Sequence, residues 1–61
     1  MAKFIKIHED DEPVFINIDQ VCAVMDASQE TTIYTSDGNS WTADRQNERA
    51  QLAKILNENL V

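Results

Sequence analysis

The stretch Thr31 to Ala43, read TTIYTSDGNSWTA, limits the folding options of this chain more than any other segment. Two runs rich in β-branched and aromatic residues flank Asp37-Gly38, and Gly38 is the only glycine in the sequence. That pattern predicts a β-hairpin whose turn uses the positive φ that glycine adopts without steric cost. Two turn geometries fit it. A two-residue type I′ turn at Asp37-Gly38 sets Tyr34 opposite Trp41. A three-residue loop, Ser36-Asp37-Gly38, with Gly38 left-handed sets Ile33 opposite Trp41 instead. The second is preferred, because it gathers Ile33, Trp41 and Ala43 on one face and leaves Thr32, Tyr34 and Thr42 on the other.

Upstream, Lys3 to His8 (KFIKIH) alternates as a first strand, with Ile5 and Ile7 on one face and Phe4, Lys6 and His8 on the other. The run Glu9 to Glu12 is too charged to bury and reads as an exposed turn closed by Pro13, which suits the first residue of a strand. Val14 to Ile18 (VFINI) is a second strand with Val14, Ile16 and Ile18 inward and Phe15 and Asn17 outward. The polar corner NIDQ redirects the chain into Val21 to Asp26 (VCAVMD). Both faces of that segment are apolar, which predicts a central strand covered on both sides. A single helical turn over Asp19 to Ala23 is the competing expectation. Ser28-Gln29-Glu30 is the next turn.

From Asp44 the character changes to helix formers without β-branched runs. Leu52, Ile55, Leu56 and Leu60 recur at spacings of three and four, one apolar stripe with Ala53 beside it. Asp44 is the expected N-cap, and the helix is expected over about residues 45–57. Its stripe needs a surface, and the face carrying Ile5, Ile7, Val14, Ile16 and Ile18 offers one. The fold class is therefore α+β, one domain over residues 1–61. A small antiparallel meander of four to five strands, within residues 3–43, carries one C-terminal helix packed on one face.

Size bears on how such a domain is stabilised. Sixty-one residues sit near the lower limit for independent folding, where disulfides, a metal or a partner subunit usually help. Cys22 is the only cysteine, so no disulfide forms within the chain, and with His8 as the only histidine a four-ligand zinc site is not expected. A homo-oligomer is the expected remedy. Nothing approaches a signal-peptide core or a membrane span, and a lone thiol fits a cytoplasmic protein of bacterial or phage origin.

The formal charge is −6, from eleven acidic and five basic residues scattered among one another. Phosphate backbones repel such a chain overall, so direct nucleic-acid binding is not expected, with Lys3 and Lys6 on one strand the only local exception. Candidate chemistry is equally sparse. A general base at His8 would need a defined partner and a pocket, and a surface histidine is the simpler expectation. Cys22 lies in an apolar strand without a neighbouring base and reads as an inert core thiol. Ser28, Ser36 and Ser40 lack a nucleophile elbow. Residues 9–12 lack the alternating ligands and the glycine of a calcium loop. No catalytic, metal or cofactor residue is assigned.

The aromatic side chains carry more information. Phe4, Phe15 and Tyr34 have two expected fates, an exposed patch opposite the helix or burial by crossing strands of a twisted, partly closed sheet, with Trp41 and Tyr34 on opposite faces of their hairpin. Exposed aromatics are enriched at interface hot spots, so Phe4, Phe15, Tyr34 and Trp41 are the candidate partner-binding residues.

The pieces KFIKIH, PVFINIDQV and TTIYTSDGNSW, over about Phe4 to Ala43, resemble the small flagellar FlbD-type (swarming-motility) proteins. Those are chains of similar length with short strands, a segment like VFIN, a downstream Asp and a Gly-turn hairpin. This sequence departs from them in its EDDEP turn, its longer last helix and Trp41 at an aliphatic position. The segment FINIDQVCAV also looks like the closing strands of LytTR DNA-binding domains, but the rest of that domain and its positive charge are missing. The FlbD-type resemblance implies a non-enzymatic accessory protein acting through protein contacts and assigns no binding residue. The expected function is thus a protein–protein interaction module that self-associates. An acidic phage-type inhibitor imitating nucleic acid is the alternative, motivated by the charge.

Overall fold

The computed structural model describes residues 3–61. Five strands and one helix follow in the order β1 (Phe4–Glu9), β2 (Glu12–Asn17), a 3-10 turn (Ile18–Gln20), β3 (Val21–Asp26), β4 (Thr31–Thr35), β5 (Ser40–Ala43) and α1 (Gln46–Glu58). The α+β class is as the sequence implies. The strands divide into two antiparallel sheets, β1-β2 and β3-β4-β5, with β1 lying against β5.

The first hairpin is tighter than the charge run suggested. Glu9 pairs with Glu12, so only Asp10 and Asp11 form the turn, with φ of 51° and 65°. Positive φ at both central residues is the requirement of a type I′ turn, whose twist matches the flanking strands. Aspartate enters the left-handed region more readily than most residues, which lets the chain do this without glycine. Pro13 is consequently the second residue of β2 rather than its first. It is tolerated because β2 pairs only with β1 and so lies at an edge.

The second hairpin takes the three-residue form. Ile33 pairs with Trp41, Thr35 N donates to Asn39 O at 3.0 Å, and Gly38 has a φ of 92°. Asp37 fixes this loop: Thr35 Oγ1 donates to its Oδ1 at 2.6 Å, and Asn39 N donates to the same oxygen at 3.2 Å. These bonds hold the Asp37 carboxyl below the usual aspartate range.

Between the hairpins the sequence expectation needs correction. Ile18 leaves β2 and opens the 3-10 turn, because Asn17 Oδ1 accepts from Asp19 N at 3.0 Å and caps it. The strand that follows is an edge strand, not a central one: β3 pairs with β4 alone. A register irregularity between Val21 and Ala23 sets Cys22 out of the ladder. Val24 faces the core, whereas Cys22, Ala23 and Met25 are exposed. Cys22 is therefore no core thiol; its Sγ lies 3.5 Å from Tyr34 O.

The core is formed by Ile5, Ile7, Ile16, Ile33, Ala43 and Leu52, with Val14, Ile18, Val21, Val24, Trp41 and Ile55 packed around it. Ile7 and Ile33, one from each sheet, are the most completely enclosed side chains. Burying such a side chain contributes roughly 1.5–3 kcal/mol, so a core this short leaves little in reserve. Leu52 delivers the helix to that core. Of the rest of the predicted stripe, Ile55 packs against the core, whereas Leu56 is 36% exposed and Leu60 73%.

Polar contacts set the helix position. Arg45, not Asp44, occupies the N-cap, and it makes no side-chain capping bond. Glu48, in the first helical turn, is buried and reaches across to β1. His8 N donates to its Oε1 at 2.9 Å, and His8 Nδ1 lies 2.6 Å from its Oε2. A carboxylate only accepts, so Nδ1 carries the proton in this pair. One residue on, Arg49 binds the β3–β4 turn, donating to Ala27 O at 2.6 Å and to Thr31 Oγ1 at 3.1 Å.

Candidate interaction surface

Alternation along β1 and β2 puts Phe4, Lys6 and Phe15 on the face turned away from the core. Lys6 pairs with Phe15 across the ladder, and Phe4 lies diagonal to Phe15, within reach of an aromatic ring. Both rings are largely exposed, at 59% and 65%. Lys6 Nζ stands 5.8 Å from the centre of the Phe15 ring, a cation–π placement.

These two phenylalanines open onto a concavity of about 220 Å³ at the junction of the sheets. Trp41 reaches the same concavity from β5, while also packing on the core. Asn17, Gln20 and Asp37 supply polar groups around it. The 3-10 turn is tied to the second hairpin by Ser36 N donating to Gln20 O at 2.8 Å and Ser36 Oγ donating to Gln20 Oε1 at 2.6 Å. Those bonds fix the wall of the concavity.

The structure thus brings together Phe4, Phe15 and Trp41 from the aromatic set expected to bind a partner. Tyr34 does not join them. It lies on the outer face of the three-stranded sheet, opposite Ala23 and diagonal to Met25, because the strands divide into two sheets that face different ways. Tyr34 and Met25 are exposed there at 38% and 59%. Tyr34 and Trp41 do fall on opposite faces, as the register requires.

A second region of apolar surface escaped the sequence-based expectation. The β3 segment Val21 to Val24 faces Leu56, Asn59 and Leu60 across an open groove of about 370 Å³. Its signal is present in VCAVMD, whose two apolar faces predict burial on both sides. A larger groove of about 630 Å³ lies between the start of β1 and the helix, with Phe4, Ile5, Ile18 and Ile55 below and Lys3, Asp19 and Glu58 at its rim.

His8 sits elsewhere. It is half-buried rather than a free surface group, and its bonds to Glu48 join strand to helix. The concavities described above are lined by other residues. Several of the acidic side chains likewise make contacts with the chain's own groups. Glu9 Oε2 accepts from Thr42 N at 2.8 Å, Asp11 pairs with Arg45 at 3.1 Å, and Asp26 accepts from Thr31 Oγ1 at 2.8 Å. The Thr31 hydroxyl, followed by the Arg49 guanidinium, holds the Asp26 carboxyl below its ordinary value. No helix among the described residues is long and apolar enough to cross a membrane. In comparisons with known proteins, no family model, no curated protein and no solved structure matches this chain.

Proposed function

We propose that this chain is a small, non-enzymatic protein–protein interaction module of the accessory kind that the FlbD-type likeness implies, and that it self-associates through β3. The observation that carries this reading is the outer edge of β3, which is free of charge and proline from Val21 to Met25 and is interrupted only by the irregularity at Cys22. Edge strands are commonly blunted by charge or proline. The β2 edge has Glu12 and Pro13, whereas β3 runs from Val21 to Met25 without a charge before Asp26. Antiparallel pairing of two β3 edges sets the two Asp26 carboxylates at opposite ends of the seam. It also brings Leu56 and Leu60 of each copy toward the partner. A standard interface needs about 800 Å² from each partner. That is roughly one-sixth of the 4569 Å² of accessible surface here.

Imitation of nucleic acid has less support, because five of the eleven acidic side chains, Glu9, Asp11, Asp26, Asp37 and Glu48, are engaged by hydrogen bonds or ion pairs with the chain's own groups. Sedimentation at micromolar concentration tests the self-association. Met25→Lys with Leu60→Lys should leave a folded monomer where the parent is a dimer. A parent that sediments as a monomer up to about 100 μM, weaker than the range of stable dimers, would refute the β3 interface.

A further inference from the structure

The concavity at the sheet junction has a composition that narrows what can occupy it. Phe4, Phe15 and Trp41 present rings, and Asn17, Gln20 and Asp37 stand around them. The amide oxygens already have partners: Asn17 Oδ1 accepts from Asp19 N and Gln20 Oε1 accepts from Ser36 Oγ. What each amide has left is its NH2 group, a donor without an acceptor in the fold among the described residues. Asp37 adds a negative charge. Its carboxylate takes hydrogen bonds from Thr35 and Asn39, but no Lys or Arg pairs with it among the described residues.

Exposed rings, surplus donors and one uncompensated negative charge are matched by a ligand of opposite character. It needs flat apolar groups, carbonyl oxygens free of internal hydrogen bonds, and a cation. A polyproline II segment meets the first two conditions, since its carbonyls are unpaired and its prolines carry no N–H. Such segments dock in aromatic-lined grooves because they are extended before binding and lose little freedom. The cation is favoured twice: by Asp37, and by the overall charge of −6, which steers basic partners toward the surface. Lys6 above Phe15 is the intramolecular precedent for a cation on that ring.

We propose that this groove docks a proline-rich segment of a partner protein that carries arginine beside its prolines, with Phe4, Phe15 and Trp41 as the platform and Asp37 facing the guanidinium. It rests on the interaction-module reading and adds the chemical class of the partner. The β3 edge and its self-association are separate from it.

Trp41 is the only tryptophan, so its emission reports this groove directly. The full chain is titrated at low salt with a synthetic acetylated peptide, PPRPPRPPP, and with the same peptide carrying glutamine in place of arginine. The arginine peptide should produce a saturable change in emission with a midpoint below about 1 mM, the weak end of specific binding. The glutamine peptide should bind about tenfold more weakly, a difference of about 1.4 kcal/mol. Phe15→Ala should weaken the arginine peptide by at least as much, and its circular dichroism should stay unchanged because the ring is 65% exposed. Equal binding of the two peptides, no effect of Phe15→Ala, or no response up to several millimolar overturns the proposal. Emission that instead follows protein concentration alone places a second copy in the groove and also overturns it. In each of those cases the sedimentation result for β3 still stands or falls by itself.

Discussion

The two halves of α1 meet the rest of the molecule in opposite ways. In the first half, Glu48 bonds to both the backbone and the ring of His8, Arg49 binds the β3–β4 turn, and Leu52 enters the core. In the second half, Ile55 is half-buried, Leu56 is exposed, as is Leu60 just beyond the helix end, and open grooves run on both sides. One amphipathic stripe therefore serves two purposes. Its start stabilises the domain, and its end remains available as surface.

This contrast can be broken most severely at Leu52. Leu52→Ala should cost about 2–5 kcal/mol, as buried leucine truncations do. Leu60→Ala should change stability by less than about 0.5 kcal/mol, the usual range for surface substitutions. Paired urea denaturation of the two variants measures this, and similar losses would erase the distinction between the halves. Next in size is Glu48→Ala, which deletes the acceptor for His8 N and leaves that N–H without its partner. A loss of about 2 kcal/mol is expected from such a buried charged hydrogen bond. Glu48→Gln keeps one acceptor oxygen and should recover part of that loss in the same assay.

The smallest effect sharpens the contrast by pH. Asp26 and Asp37 both have folded-state pKa values lowered by their hydrogen bonds. A lowered folded pKa contributes stability that is complete above the unfolded value, about 3.9, and disappears as pH falls through the folded value. Thermal midpoints should therefore decline below about pH 4. Arg49→Met should reduce the Asp26 part of that decline, leaving the larger share due to the Thr31 hydroxyl, and should leave the Asp37 part, which depends on Thr35 and Asn39, intact. An unchanged acid profile in that variant would show that the helix does not act on the β3–β4 turn through charge.

Local chemistry was the legible part of this chain. Gly38 marked its loop, and the requirement for one apolar face selected the pairing of Ile33 with Trp41. Alternation placed Phe4 and Phe15 outward, where the structure has them. The Asp10-Asp11 turn was less visible, since two left-handed residues without glycine leave no strong sequence mark. The sidedness of β3 could not be read either. An apolar residue looks the same at a covered face and at a free edge, and only the division into two sheets decides which it is. The bond between His8 and Glu48 joins residues forty positions apart, and no periodicity reports such a contact. Asp44 resembled an N-cap because capping is a local preference, while the helix start follows from where Glu48 must reach. Tyr34 shares a face with Phe4 and Phe15 only in one continuous sheet, and the division into two sheets parts them.

The carboxylate of Glu9 stands beside Thr42 N where, in a closed barrel, a neighbouring strand would offer its carbonyl. A jointed side chain thus spans the junction that a rigid ladder would otherwise lock. The angle between the two sheets is then governed by how Ile7, Ile33 and their neighbours nest together. Phe15 and Trp41 ride on different sheets, so a small tilt at that joint widens or narrows the gap between them. A visitor settling between those rings would meet one wall pinned by Gln20 and Ser36 and another joined to the neighbouring sheet through the Glu9 carboxylate.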